Sequence, residues 1–195
     1  MYLTELIFAT NNEHKVKEIK SVVSEKLVVI SLADAGIDID IPEPHDTLEA
    51  NASEKSSVIH ALTKKNCFSE DTGLEVEALN GAPGVKSARY AGEGKHFQSN
   101  IDLLIQNLSG DKNRAAQFRT VISLIWDKKE YFFEGICKGN IIETQRGTKG
   151  FGYDPIFIPD GSSKTFAEMD IEEKNQYSHR KKATTKLIHF LTTQL

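Results

Sequence analysis

An unbroken apolar run, Leu6-Ile7-Phe8-Ala9, gives way across three polar residues, Thr10-Asn11-Asn12, to apolar positions at Val16, Ile19, Val22 and Val23. Consecutive apolar residues suit a buried strand, and the spacing that follows suits one face of a helix, so the chain begins as strand, tight loop, helix with Asn12 as N-cap. The alternation continues. Asp46 with Glu49 is expected to cap a second helix whose apolar face carries Leu48, Ala52, Ile59 and Leu62. Residues 66–68 and 74–79 read as strands, and Ile101, Leu104, Ile105 and Leu108 place a helix over 100–108. Aromatic and β-branched residues at 117–126 and 130–136, joined by Asp127-Lys128-Lys129, predict a long antiparallel hairpin. Asp170 has capping-box spacing to Glu173, and Ser178 should cap a last helix whose buried face is Ala183, Leu187 and Leu191. An α/β fold follows, with a central sheet of mixed direction flanked by helices. There is no repeat, low-complexity block or long linker, and 195 residues suit a single domain, 1–195.

The segment Gly147-Thr148-Lys149-Gly150-Phe151-Gly152-Tyr153-Asp154-Pro155 sets three glycines around an aromatic ring and a carboxylate. Glycine lets backbone approach a ligand, the ring can stack on a planar base, and Asp154 can accept hydrogen bonds. The alternative is a plain turn before Ile156-Phe157-Ile158, with Phe151 in the core.

Three other segments carry charge in unusual places. Lys15 would lie in the first turn of the first helix, against its dipole, which is favourable only if an anion sits there; otherwise it is simply solvated. The glycines of a P-loop are missing. Glu70 and Asp71 stand together before Gly73, and adjacent carboxylates are relieved by a divalent cation, with hard oxygen donors selecting magnesium. A turn with two solvated acids is the other reading. Glu43 is fixed between Pro42 and Pro44, as a ligand or as part of a rigid loop. His179 and Arg180 open the last helix, where cations suggest an anionic or carbonyl-bearing ligand, and Lys174 adds a compact charge. Lys181, Lys182 and Lys186 read as a solvated face.

Taken in order, FATNNEHKVKEI, EDTGLEVEALNGAPGVKSARYAGE, RGTKGFGYDPIF and EEKNQYSHRKKA resemble the inosine triphosphate pyrophosphatase family over nearly the whole chain. The resemblance implies two lobes with a deep active-site cleft between them, and hydrolysis of the deaminated purine triphosphates ITP, dITP and XTP to monophosphate and pyrophosphate. It implies that Thr10, Asn11, Asn12, Glu13, His14 and Lys15, with Lys174, hold the triphosphate. Asp71 would bind Mg2+ and act as general base, Lys15 would neutralise phosphate charge, and Glu43 would be the second metal-site acid. Thr72 would touch substrate, and Phe151, Gly152, Tyr153, Asp154, His179 and Arg180 would hold the base, with His179 or Arg180 donating to the purine 6-carbonyl. Thr72 stands where the family usually has serine, and Glu70 where aspartate often precedes the catalytic acid. A homodimer is also implied.

Net charge is −4 and the sequence pI is near 5.9, so no global attraction to nucleic acid or an anionic membrane is expected. Cys67 and Cys137 lack metal-ligand spacing and read as buried free thiols. With no signal-length apolar stretch, a cytoplasmic protein acting on a small-molecule nucleotide is expected. An idle nucleotide sensor would not need the acids; a nucleic-acid module would need a broader basic surface than Arg89, Arg180, Lys181 and Lys182.

Overall fold

A computed structural model describes residues 4–23, 27–93 and 96–194. Along the chain these form β1 (Thr4–Phe8), α1 (Glu13–Lys20), β2 (Leu27–Ser31), α2 (Leu48–Thr63), β3 (Cys67–Val76), β4 (Pro83–Gly84), α3 (Phe97–Asn107), β5 (Ala115–Trp126), β6 (Lys129–Ile141), β7 (Phe157–Pro159), α4 (Ile171–Lys174) and α5 (His179–Gln194). Strand order is β2-β1-β3-β5-β6-β7, with β4 paired to β3. β1 runs parallel to β2 and β3, whereas β3–β4 and β6–β7 are antiparallel, so the sheet is mixed as expected. Asp127 and Lys128 both take positive φ, 48° and 66°, which is the geometry that a two-residue hairpin between twisted strands demands.

The chain divides into two compact units. One comprises Met1–Asp71, Thr120–Gly135 and Arg180–Leu195; the other comprises Thr72–Arg119 and Ile136–His179. In the first, β1 is buried on both faces. Leu6 and Phe8 join Ile19, Phe68, Ile122 and the α5 stripe Ala183, Leu187 and Leu191, while Ile7 and Ala9 join Leu32, Ile59, Cys67 and Ile125. Phe8 and Phe68 stack with centroids 4.5 Å apart. In the second unit, Leu74, Val76, Ile101, Leu104, Phe118, Phe157 and Phe166 share one core. Cys67 and Cys137 are free and buried. No helix among the described residues is long and apolar enough to cross a membrane.

Four expectations need correction. Residues 66–68 and 74–79 are not separate strands: β3 is continuous through Glu70 and Asp71, and Glu77–Leu79 is a 3-10 turn. The acids tolerate a buried strand because cations from other elements meet them. Gly73 permits the strand to continue, since a Cβ there would fall 2.6 Å from the Gly84 carbonyl oxygen. The cap of α2 is Thr47, whose hydroxyl accepts from the Ala50 amide, rather than Asp46. Leu62 is 59% exposed, because the buried stripe of α2 runs through Leu48, Asn51, Ala52, Lys55, Ser56 and Ile59. Asp170 does cap α4 by accepting from the Glu173 amide, but the reciprocal box lies at Thr165 and Glu168. Glu173 instead turns its carboxylate to Lys164.

Candidate active site

Side chains of β3 alternate between faces, which sends its two neighbouring acids in opposite directions. Glu70, on the Phe68 side, meets α1 and α5. Arg180 grips it with two parallel bonds, Nε to Oε2 at 2.7 Å and Nη2 to Oε1 at 2.8 Å, and donates through Nη1 to Glu18. Lys15 Nζ lies 3.2 Å from Glu70 Oε1. Burial works against the Glu70 charge, but Arg180 and Lys15 outweigh it and hold the carboxyl well below the usual range. The anion required by a lysine in the first turn of a helix is therefore Glu70.

Asp71, on the Ser69 side, meets α2 and the loop before it. Lys55 Nζ donates to Asp71 Oδ1 at 3.3 Å and to Glu43 Oε1 in a shorter contact. Asn51 Nδ2 donates to Asp71 Oδ2 at 3.3 Å. Burial pushes the Asp71 carboxyl above the ordinary aspartate value; Glu43 pushes the same way, against Lys55 and Lys15. Lys55 is itself desolvated, yet Asp71 and Glu43 outweigh that and favour its charged form. One strand thus offers an acid held firmly ionised and, next to it, an acid made more basic. Of the two, Asp71 is the better proton acceptor.

At the start of α1, Asn12 Oδ1 accepts from the amides of His14 and Lys15 at 3.0 and 3.2 Å, as the N-cap expectation required. Thr10 Oγ1 accepts from the Asn12 amide, and Asn11 Nδ2 donates to the Ile39 carbonyl, so this loop is shaped by its own polar side chains. Glu13 and His14 are exposed at the first turn.

In the second unit, Asp154 organises the glycine-rich loop. Its Oδ2 accepts from the Phe151 amide at 2.9 Å and from Lys174 Nζ at 2.6 Å. Gly150 takes φ +74°, and a Cβ there would collide with that oxygen, so any side chain would have to displace Asp154. Lys174 Nζ lies 5.4 Å from the Phe151 ring centroid and 5.0 Å from that of Phe166. The half-buried Phe151 is thus tied to Asp154 through its backbone amide and carries the Lys174 ammonium over the face of its ring. Gly152 has open space beside it, Tyr153 is buried with its hydroxyl donating to the Ser87 carbonyl, and Thr72 is half-buried in β3. His179 is buried and stacks on Phe118 at 4.7 Å.

The structure brings Glu43 to Asp71 through Lys55, and Lys174 to Asp154 and Phe151. It does not gather Glu43, Glu70 and Asp71 as a common oxygen set, since Glu70 is taken by Arg180 and Lys15. Among the described residues no three His, Cys, Asp or Glu side chains cluster as a metal cage. Arg180, aimed by the sequence reading at a purine carbonyl, is here committed to Glu70 and Glu18. Asn51, Lys55 and Glu18 were missed. The signal for the first two was polar residues falling on the apolar stripe of α2, where burial without function is costly.

A family model matches residues 6–190, that of the Ham1 family. The chain belongs to the Ham1 family. Among curated relatives of this Ham1-family chain, the dITP/XTP pyrophosphatase of Flavobacterium johnsoniae is 50% identical over 96% of the chain and 98% of the relative. That of Porphyromonas gingivalis is 50% identical over 97% and 98%. The solved Ham1 protein of Staphylococcus aureus superposes with a TM-score of 0.88 at 39% identity, covering 98% of this chain and all of that one. A HAM1 protein from Coxiella burnetii gives 0.89 at 33% identity over 98% of the chain.

Proposed function

We propose that this Ham1-family chain hydrolyses deaminated purine nucleoside triphosphates, dITP, ITP and XTP, to the nucleoside monophosphate and pyrophosphate. It would thereby clear them from the nucleotide pool before incorporation into DNA or RNA. The observation that carries the chemistry is the Asp71–Lys55–Glu43 arrangement: two carboxylates converge on one cationic centre, and the more buried of them is made more basic. Asp71 is suited to orient the attacking water at the α-phosphorus and take its proton, while the Lys55 and Lys15 ammonium groups offset charge on the polyphosphate. The ionised Glu70 holds the Lys15 side chain in place.

A divalent cation fits the same residues. With both acids ionised, Glu43, Asp71 and Lys55 leave one net negative charge on hard oxygen donors, the donor chemistry that magnesium prefers. Bound there by Glu43 and Asp71, magnesium would supply Lewis-acid stabilisation of phosphate charge. Phe151 supports base stacking, held by Asp154 and Lys174. Purines with a carbonyl at position 6 would be favoured by donors that adenine leaves unpaired, about 1–3 kcal/mol per group. The reading includes a homodimer, from the family resemblance, and the cytoplasm, consistent with two buried free thiols.

A panel of purified nucleoside triphosphates with magnesium, assayed separately for pyrophosphate and orthophosphate, tests this. dITP, ITP and XTP should release pyrophosphate far faster than ATP or GTP. Orthophosphate with a nucleoside diphosphate as first products would overturn the cleavage position, and equal rates on ATP the base selectivity.

A further inference from the structure

We propose that Asn51 is a positioning residue that fixes the span between the Glu43 loop and the Asp71 carboxylate. The inference rests on the reading of Glu43 and Asp71 as the cation-binding pair. Asn51 is 1% exposed on the sheet-facing stripe of α2. Its Oδ1 accepts from the His45 amide at 2.9 Å, and its Nδ2 donates to the His45 carbonyl at 3.0 Å and to Asp71 Oδ2 at 3.3 Å. One amide side chain thus holds both backbone polar groups of a single loop residue, two positions after Glu43, and also touches the acid that lies opposite.

Only asparagine meets these demands at this length. Leucine has no polar atoms, aspartate has no donor for the His45 carbonyl or for Asp71, and glutamine is a methylene too long. Lys55, one helical turn on, makes a second bridge between the same loop and the same acid, from Glu43 Oε1 to Asp71 Oδ1. The two bridges differ in kind. The Lys55 bridge depends on charge and on a flexible stem, whereas the Asn51 bridge is neutral and short, so it keeps the span whatever charge lies between the carboxylates.

The helix carrying both is itself pinned. Ser69 Oγ of β3 donates to the Ala52 carbonyl, and Ser56 Oγ pairs with Ser123 Oγ of β5 at 2.6 Å. Asn51 is therefore held on a rigid element and reaches out to a loop that has no regular structure of its own. Residues two positions either side of the amide clamp follow it, and Glu43 is one of them. A group that sets the separation of two acids, without touching base or polyphosphate, should govern turnover and cation affinity more than substrate affinity.

The test compares Asn51→Ala and Asn51→Asp with Ser56→Ala, which loosens the same helix away from the acids. Four quantities are measured: calorimetric binding of magnesium alone, kcat for dITP, KM for dITP, and hydrogen exchange of the His45 amide. Asn51→Ala should lower magnesium affinity and kcat each about 10–100-fold, with KM for dITP little changed and His45 exchange accelerated. Asn51→Asp keeps the shape and the acceptor for the His45 amide, so His45 stays protected while kcat falls through repulsion of Asp71. Ser56→Ala should lower Tm and leave kcat and magnesium affinity unchanged. Wild-type kcat and magnesium affinity in Asn51→Ala would overturn the proposal, as would losses in both Asn51 variants no larger than those of Ser56→Ala. Should Asn51→Ala fail to fold, unchanged kcat in the near-isosteric Asn51→Asp overturns it. Failure of the underlying reading looks different, because the unmutated protein would then bind no magnesium or release no pyrophosphate from dITP.

Discussion

Replacing Arg180 with methionine keeps most of the side-chain volume and removes the cation that two buried carboxylates share. The Glu70 side chain is 0% exposed and that of Glu18 10%, so neither acid can recover its hydration without opening the core. Leaving one partner of a buried pair uncompensated costs about 3–5 kcal/mol, out of a total of about 5–15 kcal/mol for a domain. At about 2–4 °C per kcal/mol for a chain of this size, Tm should fall by about 6–20 °C. Urea unfolding followed by the fluorescence of Trp126, the chain's one tryptophan, measures this directly. The pH dependence gives the sharper check. Arg180 and Lys15 depress the Glu70 pKa, so that group's stabilisation is fully present above the usual glutamate range and is lost as pH falls through the depressed value. The gap between wild type and Arg180→Met should therefore be widest at neutral pH and narrow as the medium becomes acid. A variant within about 1 kcal/mol of wild type at neutral pH, or a gap that widens in acid, would refute a structural role for the pair.

Asp71→Asn should cut kcat at least about 100-fold while Tm holds or rises, since burial already disfavours the charge it removes; turnover and thermal melts check both halves. In the metal-free protein the Asp71 carboxyl, followed by NMR titration, should ionise above the range of a free aspartate, and a value at or below that range would contradict the effect of its burial. Phe151→Ala should cost about 1–3 kcal/mol of base binding, read as a fall in kcat/KM for dITP with residual turnover at saturation, whereas Lys15→Ala should slow every triphosphate alike. Gly150→Ala, at positive φ and with its Cβ against Asp154, should destabilise the loop and weaken nucleotide binding by fluorescence titration, and a neutral result would mean that Asp154 is free to move aside.

The first strand and helix were legible because their apolar spacing is local: β1, the Asn12 cap and α1 follow from about a dozen residues. The hairpin of β5 and β6 and the buried stripe of α5 were readable for the same reason. Glu70 and Asp71 read either as a pair relieved by a divalent cation or as a turn, because what makes them compatible with a buried strand lies elsewhere in the chain, Arg180 being 110 residues away. Lys55 and Asn51 were passed over because a polar residue on a helix is ordinarily a solvated one. Only the packing of α2 against β3 makes them the neighbours of Asp71. The glycine-rich segment was readable either as a ligand loop or as a plain turn, but that Asp154 is its internal fastener, crowding Gly150, is a matter of three-dimensional contact.

Because Glu70 and Asp71 are adjacent on one strand, their opposite roles are separated by a single peptide unit and a half-turn of the pleat. Sliding β3 by one residue would turn every side chain to the opposite face: depending on direction, Glu70 would meet Lys55 or Asp71 would meet Arg180, and the other acid would be carried past its partner. The strand is therefore a frame in the reading sense: insertions and deletions within it scramble meaning where substitutions merely weaken it. Variation in chain length among functional relatives should accordingly collect in the loops that flank β3 and stay out of the strand itself.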